Sequence, residues 1–215
     1  MVTGDEETAQ SALRHADHVC VLYETREEEI RIVTDFVRQG LAADERCVCL
    51  CGQAPDVYRQ AMWEGGIGVD EAEGRGALVL LAAKEAYLSD GAFDAQRMLS
   101  MMDHALEDAQ EANFAGLRIA GDMTWLLDAP PCSDQLLECE ALVNQVFTGA
   151  RGMALCFYHR RRTPRQILDQ ALSTHPLVVL GGRLRPNQFY LSPAVARARR
   201  PHDADVDWKI RELER

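Results

Sequence analysis

A chain of 215 residues with 47% hydrophobic and 27% charged content is long enough for one α/β domain with a short appendage, and its composition is that of an ordinary globular protein. The net charge of −11, from 34 acidic and 23 basic residues, argues against sequence-independent contact with nucleic acid or an anionic membrane surface, because phosphates need a basic face. No apolar run approaches the ~18–20 residues of a membrane span; the start reads as no secretory signal; and seven cysteines, mostly inside apolar strands, point to reduced thiols in the cytoplasm.

Residues 1–14 are polar and read as an amino-terminal extension. The run His18-Val-Cys-Val-Leu-Tyr23 then reads as a strand, with His18, Cys20 and Leu22 on one face and Val19, Val21 and Tyr23 on the other. Thr25 followed by Glu28 is a capping-box spacing, and it predicts a helix over about 27–42 with Ile30, Val33, Val37 and Leu41 along one stripe. Gly40 lies near the end of that helix. Arg46–Cys51 is a run that suits a strand covered on both faces. A short helix over 55–64, a loop over 65–76 and a third strand over 77–82 follow.

Residues 94–112 carry Met98, Met102, Ala105, Leu106 and Ala109 at helical spacing. A fourth strand over 116–122 leads into Met123-Thr-Trp125. Ser133 caps a helix with Leu136, Cys139, Val143 and Phe147 facing the core, and 153–158 is a fifth strand. Thr163-Pro164-Arg-Gln166 combines a capping residue, proline at the first helical position and a glutamine three residues after the cap, a helix start that runs toward Thr174. Residues 177–182 and 188–191 read as a final strand pair. Strands and helices alternate, so the expected fold is a three-layer α/β domain over 15–193, with a mostly parallel sheet flanked by helices and a carboxyl-terminal hairpin. Residues 194–205 read as a linker. Val206, Ile210 and Leu213 mark the start of a short output or coiled-coil helix, expected to dimerise or to meet a downstream module.

Several segments together resemble one family, the MEDS sensory domain (methanogen/methylotroph, DcmR type). They are His18-Val-Cys-Val-Leu-Tyr-Glu24, Gly40-Leu41, Gly121-Asp-Met-Thr-Trp125, Glu140 to Asn144, Cys156-Phe-Tyr-His-Arg160 and Thr174-His-Pro176, spread over about 14–192. The resemblance implies a RecA/KaiC-like core that has lost its nucleotide-binding motifs. It also implies a non-catalytic sensor of small organic molecules, including one-carbon or hydrocarbon derivatives, placed ahead of a histidine kinase or a transcription-regulating module. His159 stands where the family pattern suggests an acidic residue, and Asp122 where it suggests glutamate.

The residues themselves agree on the missing phosphate loop. No Gly-x-x-x-x-Gly-Lys-Ser/Thr follows a strand, and Glu27, Glu28 and Glu29 occupy the helix start that would otherwise attract a phosphate. Residues expected at the carboxyl ends of the strands form the candidate ligand site: Tyr23, Glu24, Asp122, Met123, Trp125, Tyr158, His159 and Arg160. The competing view makes Trp125 a core aromatic and Asp122 a turn cap. A second candidate is a metal or redox centre drawn from His18, Cys20, Cys47, Cys49, Cys51 and Cys156, whose thiolates and imidazole would suit zinc or another soft metal. Alternate-position cysteines lack the Cys-x-x-Cys spacing of structural zinc sites, so no cofactor is expected and buried thiols acting as small hydrophobes are preferred. The partners expected are a small organic ligand, a downstream effector and a second copy of the chain, with neither nucleic acid nor membrane. A residual nucleotide-binding protein is the third reading.

Overall fold

In the computed structural model, residues 13–88, 91–128, 133–198 and 206–215 are described. The sheet grows from β1 (His18–Tyr23), β2 (Arg46–Cys51), β3 (Leu78–Ala82), β4 (Leu117–Asp122), β5 (Gly152–His159), β6 (Leu177–Leu180) and β7 (Arg183–Pro186). Their order across the sheet is β3-β2-β4-β5-β1-β6-β7, parallel throughout except for the β6–β7 pair. The central strands are buried on both faces, which is why their sequences are almost continuously apolar.

Strand alternation divides the interior into two layers. Val19, Val21 and Tyr23 face a core built with α1 (Arg26–Ala42), α2 (Pro55–Glu64) and α3 (Val69–Gly74). Cys20 and Leu22 face the other, built with α4 (Ala83–Tyr87), α5 (Ala95–Glu111), α6 (Ser133–Val146), α7 (Arg165–Thr174) and α9 (Val206–Glu214). The cap at Thr25 forms as the spacing predicts, with the reciprocal bond shifted to the amide one residue before it. The Glu28 amide donates to Thr25 Oγ1 at 3.2 Å, while the Glu28 carboxylate reaches back to the Glu24 amide at 2.9 Å.

Four local expectations change. The final strand pair is β6–β7, closed by Gly181 and Gly182 with φ of +58° and +74°, so 188–191 is not a strand. Two consecutive residues with positive φ make the tight turn whose twist matches paired strands, and glycine adopts it freely. At the start of α7, Pro164 is itself the capping residue, and the Thr163 hydroxyl has no hydrogen-bond partner. The region read as a loop over 65–76 contains α3, held by Val69 and Ala72 in the apolar layer. Part of the expected linker is helix α8 (Pro193–Ala198), anchored by buried Ala196; residues 199–205 lie outside the described segments, as do residues 1–12 of the extension.

Gly40 lies near the end of α1, as expected, and the helix makes a close approach there. A Cβ there would come within 2.5 Å of Cys47 Sγ and 2.7 Å of Arg118 Cδ. The helix therefore runs close over β2 and β4, above a buried pair in which Arg118 Nε donates to Glu45 Oε2 at 2.5 Å. Gly40→Ala gains about 1 kcal/mol of helix propensity but overpacks this contact by about 1–3 kcal/mol. A net loss of about 1 kcal/mol is expected in urea melts; a gain in stability would contradict the close-approach role.

Candidate functional site

The predicted ligand residues fall into three places. Tyr23, at the end of β1, donates its hydroxyl to Asp122 Oδ2 at 3.1 Å, and its ring lies 5.2 Å from that of His159. Asp122 also accepts from the Thr124 amide at 2.7 Å and from the Thr124 hydroxyl. Gly52 at the end of β2 makes room for this carboxylate, since a Cβ there would meet Asp122 Cγ at 2.3 Å. Tyr23, Asp122 and His159 thus converge at the strand ends as expected, while the local bonds to Thr124 give Asp122 the turn-capping role as well.

A second carboxylate stands behind this group. Glu29, in the first turn of α1, is buried and accepts the Tyr58 hydroxyl. Burial pushes its pKa up to about 7; the Tyr58 bond partly offsets this and the neighbouring Asp122 adds to it. Burial likewise raises Asp122, against the bonds from Thr124 and Tyr23. Burial and the nearby Asp122 push the Tyr23 hydroxyl well above its ordinary value, so it stays a donor.

Glu24 and Arg160 occupy the next place, the edge above β1 and β6. Arg160 Nη1 bonds Glu24 Oε1 at 3.1 Å and Glu214 Oε1 of α9 at 2.7 Å, and Arg161 bonds the other Glu24 oxygen at 3.0 Å. Glu24, Arg160 and Glu214 border a cleft of about 440 Å³, completed by Leu22, Glu28, Leu180, Gly181, Arg183 and Arg185.

Met123, Trp125 and Tyr158 do not reach the edge. The 3-10 turn Thr124–Leu127 folds Trp125 back under the sheet end, where it stacks at 4.8 Å on Tyr87 and 5.1 Å on Phe93. It is a core aromatic, and Met123 packs in the same layer. Tyr158 sits one residue before the end of β5, and alternation turns it to the opposite face from His159. It is fully buried and donates to Glu140 Oε1 at 2.8 Å.

Around Glu140 the structure brings together residues from four elements. His18 Nε2, from the start of β1, lies 3.2 Å from Glu140 Oε2 and 3.3 Å from Cys156 Sγ. His175 Nε2, just past α7, lies 3.4 Å from the same carboxylate oxygen, and its ring packs 3.9 Å from that of His18. Burial works to raise the Glu140 pKa, yet His175, His18 and Tyr158 bring it down to about 2. Burial and then the His18 ring push His175 down to about 3. A neutral His175 carries no charge with which to hold Glu140 down. We take His175 as neutral because it is fully buried, and assign the lowering of Glu140 to the bonds from His18 and Tyr158.

The cysteines of the alternative metal set separate. Cys47, Cys49 and Cys51 lie in the α1 layer, whereas Cys20 and Cys156 lie across the sheet from them with His18. No single ion can be held by all six residues named. All six described cysteines are free and buried; burial pushes Cys47 and Cys51 up to about 12 and raises Cys20, Cys49, Cys139 and Cys156 as well. Reactive redox thiols have the opposite properties, exposure and a lowered pKa. Glu140 and His175 were missed as site residues, although both fall in segments that carry the family resemblance. No local motif marks them, because one sits within the helical pattern of α6 and the other just past α7, far apart in sequence.

A family model described as "MEDS: MEthanogen/methylotroph, DcmR Sensory domain" matches residues 17–176, which is most of the chain. The chain belongs to the MEDS family. The match runs from the residue before β1 to the residue before β6, so it contains the strand-end group and the Glu140 cluster and stops short of β7 and α9. No curated protein matches the chain. The sensory character of this MEDS domain follows from the family, and among the described residues no helix is long and apolar enough to cross a membrane.

Glu29 gives a pH test of the strand-end group. Its folded pKa of about 7 lies above the ordinary 4.5, so the folded state holds a proton that the unfolded chain releases between those values. Stability from this group is therefore full below pH 4.5, falls as pH rises to about 7, and changes by at most about 3 kcal/mol. The difference in unfolding free energy between wild type and Glu29→Gln should follow that fall; parallel pH profiles would contradict it.

Proposed function

We propose that this MEDS domain binds a small organic molecule, such as a one-carbon or hydrocarbon derivative, in the cleft above β1 and β6, and reports its presence by releasing α9. The observation that carries this reading is the double contact of Arg160, which holds Glu24 at the edge of β1 and Glu214 on α9 with the same Nη1. A ligand that takes a hydrogen bond from Arg160 competes with the helix for it.

The attachment of α9 supports a releasable output. Val206, Ile210 and Leu213, the stripe expected to pair with a partner, are buried against the domain's own α7 layer. Lys209 bonds the buried carboxylate of Asp169, and Arg165 bonds Asp207 at 2.7 Å. Once freed, the stripe is available to a second copy or to a downstream kinase or regulator module. A ligand moves this equilibrium only as far as its affinity differs between docked and released states.

The domain acts without catalysis on this reading, in the cytoplasm, as a RecA-like core put to sensing. The cap supports that view: Thr25 and Glu28 already occupy backbone amides at the start of α1, where a nucleotide phosphate would have to bind. Three arginines and three glutamates line the cleft, which favours a small molecule with a polar end over a polyanion.

The test is a thermal-shift panel of small alcohols, amines, carboxylates and halogenated hydrocarbons against the full chain. At least one compound should raise the Tm, and Arg160→Ala should weaken its binding about 10–100-fold, the worth of a charge-assisted hydrogen bond. Amide exchange in residues 206–214 should speed up on binding. Unchanged affinity in Arg160→Ala, or unchanged exchange in α9, would refute the reading.

A further inference from the structure

The Glu140 cluster lies apart from the cleft, fully inside the layer between the sheet and α6, and the sensory reading makes no use of it. Its chemistry is unusual for a core. Two imidazoles, a carboxylate and a thiol present His18 Nε2, His175 Nε2, Glu140 Oε2 and Cys156 Sγ within 4.8 Å of one another, all buried. We propose that these four residues form a site for a divalent ion of the zinc class.

The spacing fits tetrahedral coordination. Bonds of about 2.0–2.1 Å to nitrogen or oxygen and about 2.3 Å to sulfur set ligand-to-ligand edges of roughly 3.3 Å, or roughly 3.6 Å to a thiolate. Four of the six edges are 3.2 Å between His18 and Glu140, 3.4 Å between His175 and Glu140, 3.3 Å between His18 and Cys156, and 3.9 Å between Cys156 and Glu140, and the two from His175 to His18 and to Cys156 lie within 4.8 Å. The ligand types, two imidazoles with one carboxylate and one thiolate, suit a borderline-soft ion and exclude calcium or magnesium, which want oxygen.

Hydrogen bonding makes the second, independent case. His175 Nδ1 lies 2.8 Å from the Ala171 carbonyl, which can only accept, so the ring proton sits on Nδ1. That leaves the Nε2 lone pair aimed into the cluster, fully buried and without a hydrogen-bond partner, opposite a carboxylate oxygen that can only accept when ionised. Two facing lone pairs call for a cation between them. A backbone carbonyl on the far nitrogen of a ligating histidine is the usual orienting contact of a metal site, and the Tyr158 hydroxyl on Glu140 Oε1 orients the carboxylate in the same way. Cys156 enters as thiolate, giving its proton to solvent as the ion binds. With every ligand buried, the ion enters as the chain folds or when α6 lifts. Once bound it fastens β1, β5, α6 and the end of α7 at one point.

The full chain, expressed with zinc in the medium and purified without chelator, should carry one zinc per chain by elemental mass spectrometry. Refolded with cobalt(II), it should show the strong visible bands of tetrahedral cobalt together with a thiolate-to-cobalt charge-transfer band. Cys156→Ser should lose the charge-transfer band. Tyr158→Phe, which removes only the outer contact, should keep both bands and bind ~10–100-fold more weakly. A folded wild-type chain that takes up neither zinc nor cobalt overturns the proposal, as does an octahedral cobalt spectrum or a charge-transfer band that survives in Cys156→Ser. Should Cys156→Ser fail to fold, the wild-type cobalt spectrum and Tyr158→Phe still decide.

Discussion

A carboxylate buried inside an apolar layer must be satisfied from every side, and Glu140 sets that condition for one half of this molecule. An unpaired charge there costs several kcal/mol, so its neighbours have to be placed accurately. The chain meets the demand with groups from separate elements: Tyr158 and Cys156 from β5, His18 from β1, and His175 from the turn after α7. Those contacts fix the height of α6 over the sheet and the end of α7 against it. On the far side of the same sheet the polar demand moves to the strand ends, where Asp122 and Glu29 are held by Tyr23, Thr124 and Tyr58.

The two polar groups divide the length of β1 between them. His18 opens the strand at the buried cluster, and Tyr23 closes it at the carboxyl-end edge beside the cleft. Arg160, two residues after Tyr158 on the neighbouring strand, connects that edge to α9. Metal binding below and ligand binding above would therefore act on one shared strand pair, β1 with β5. Stabilising the lower end makes a firm base against which a contact at the upper end can be exchanged.

Most of the fold was legible because it follows from local rules. Alternation assigned both faces of β1 correctly, the Thr25–Glu28 spacing located the start of α1, and Met98, Met102 and Leu106 face the core as their period requires. What failed was structure with too few residues to show a period: α3 and α8, and the exact pairing at the Gly181–Gly182 turn. The site was less legible. Tyr158 was placed at the edge, although counting from His159 along the strand turns it inward, and Trp125 was placed there without knowledge of the turn that returns it to Tyr87. Glu140 and His175 carry no motif because their ligand-like arrangement is made by tertiary packing of α6 and α7 on β1 and β5. Half of that arrangement, His18 and Cys156, was already in the metal set drawn from the sequence; the three cysteines of β2 obscured it by their number.

X-ray absorption at the zinc edge, on the zinc-loaded full chain in solution, addresses the centre of this account directly. The account predicts four scatterers, one sulfur at about 2.3 Å and three nitrogen or oxygen atoms at about 2.0–2.1 Å. A zinc shell without sulfur, or with more than one sulfur, would place the ion elsewhere and contradict the assignment of His18, Glu140, Cys156 and His175.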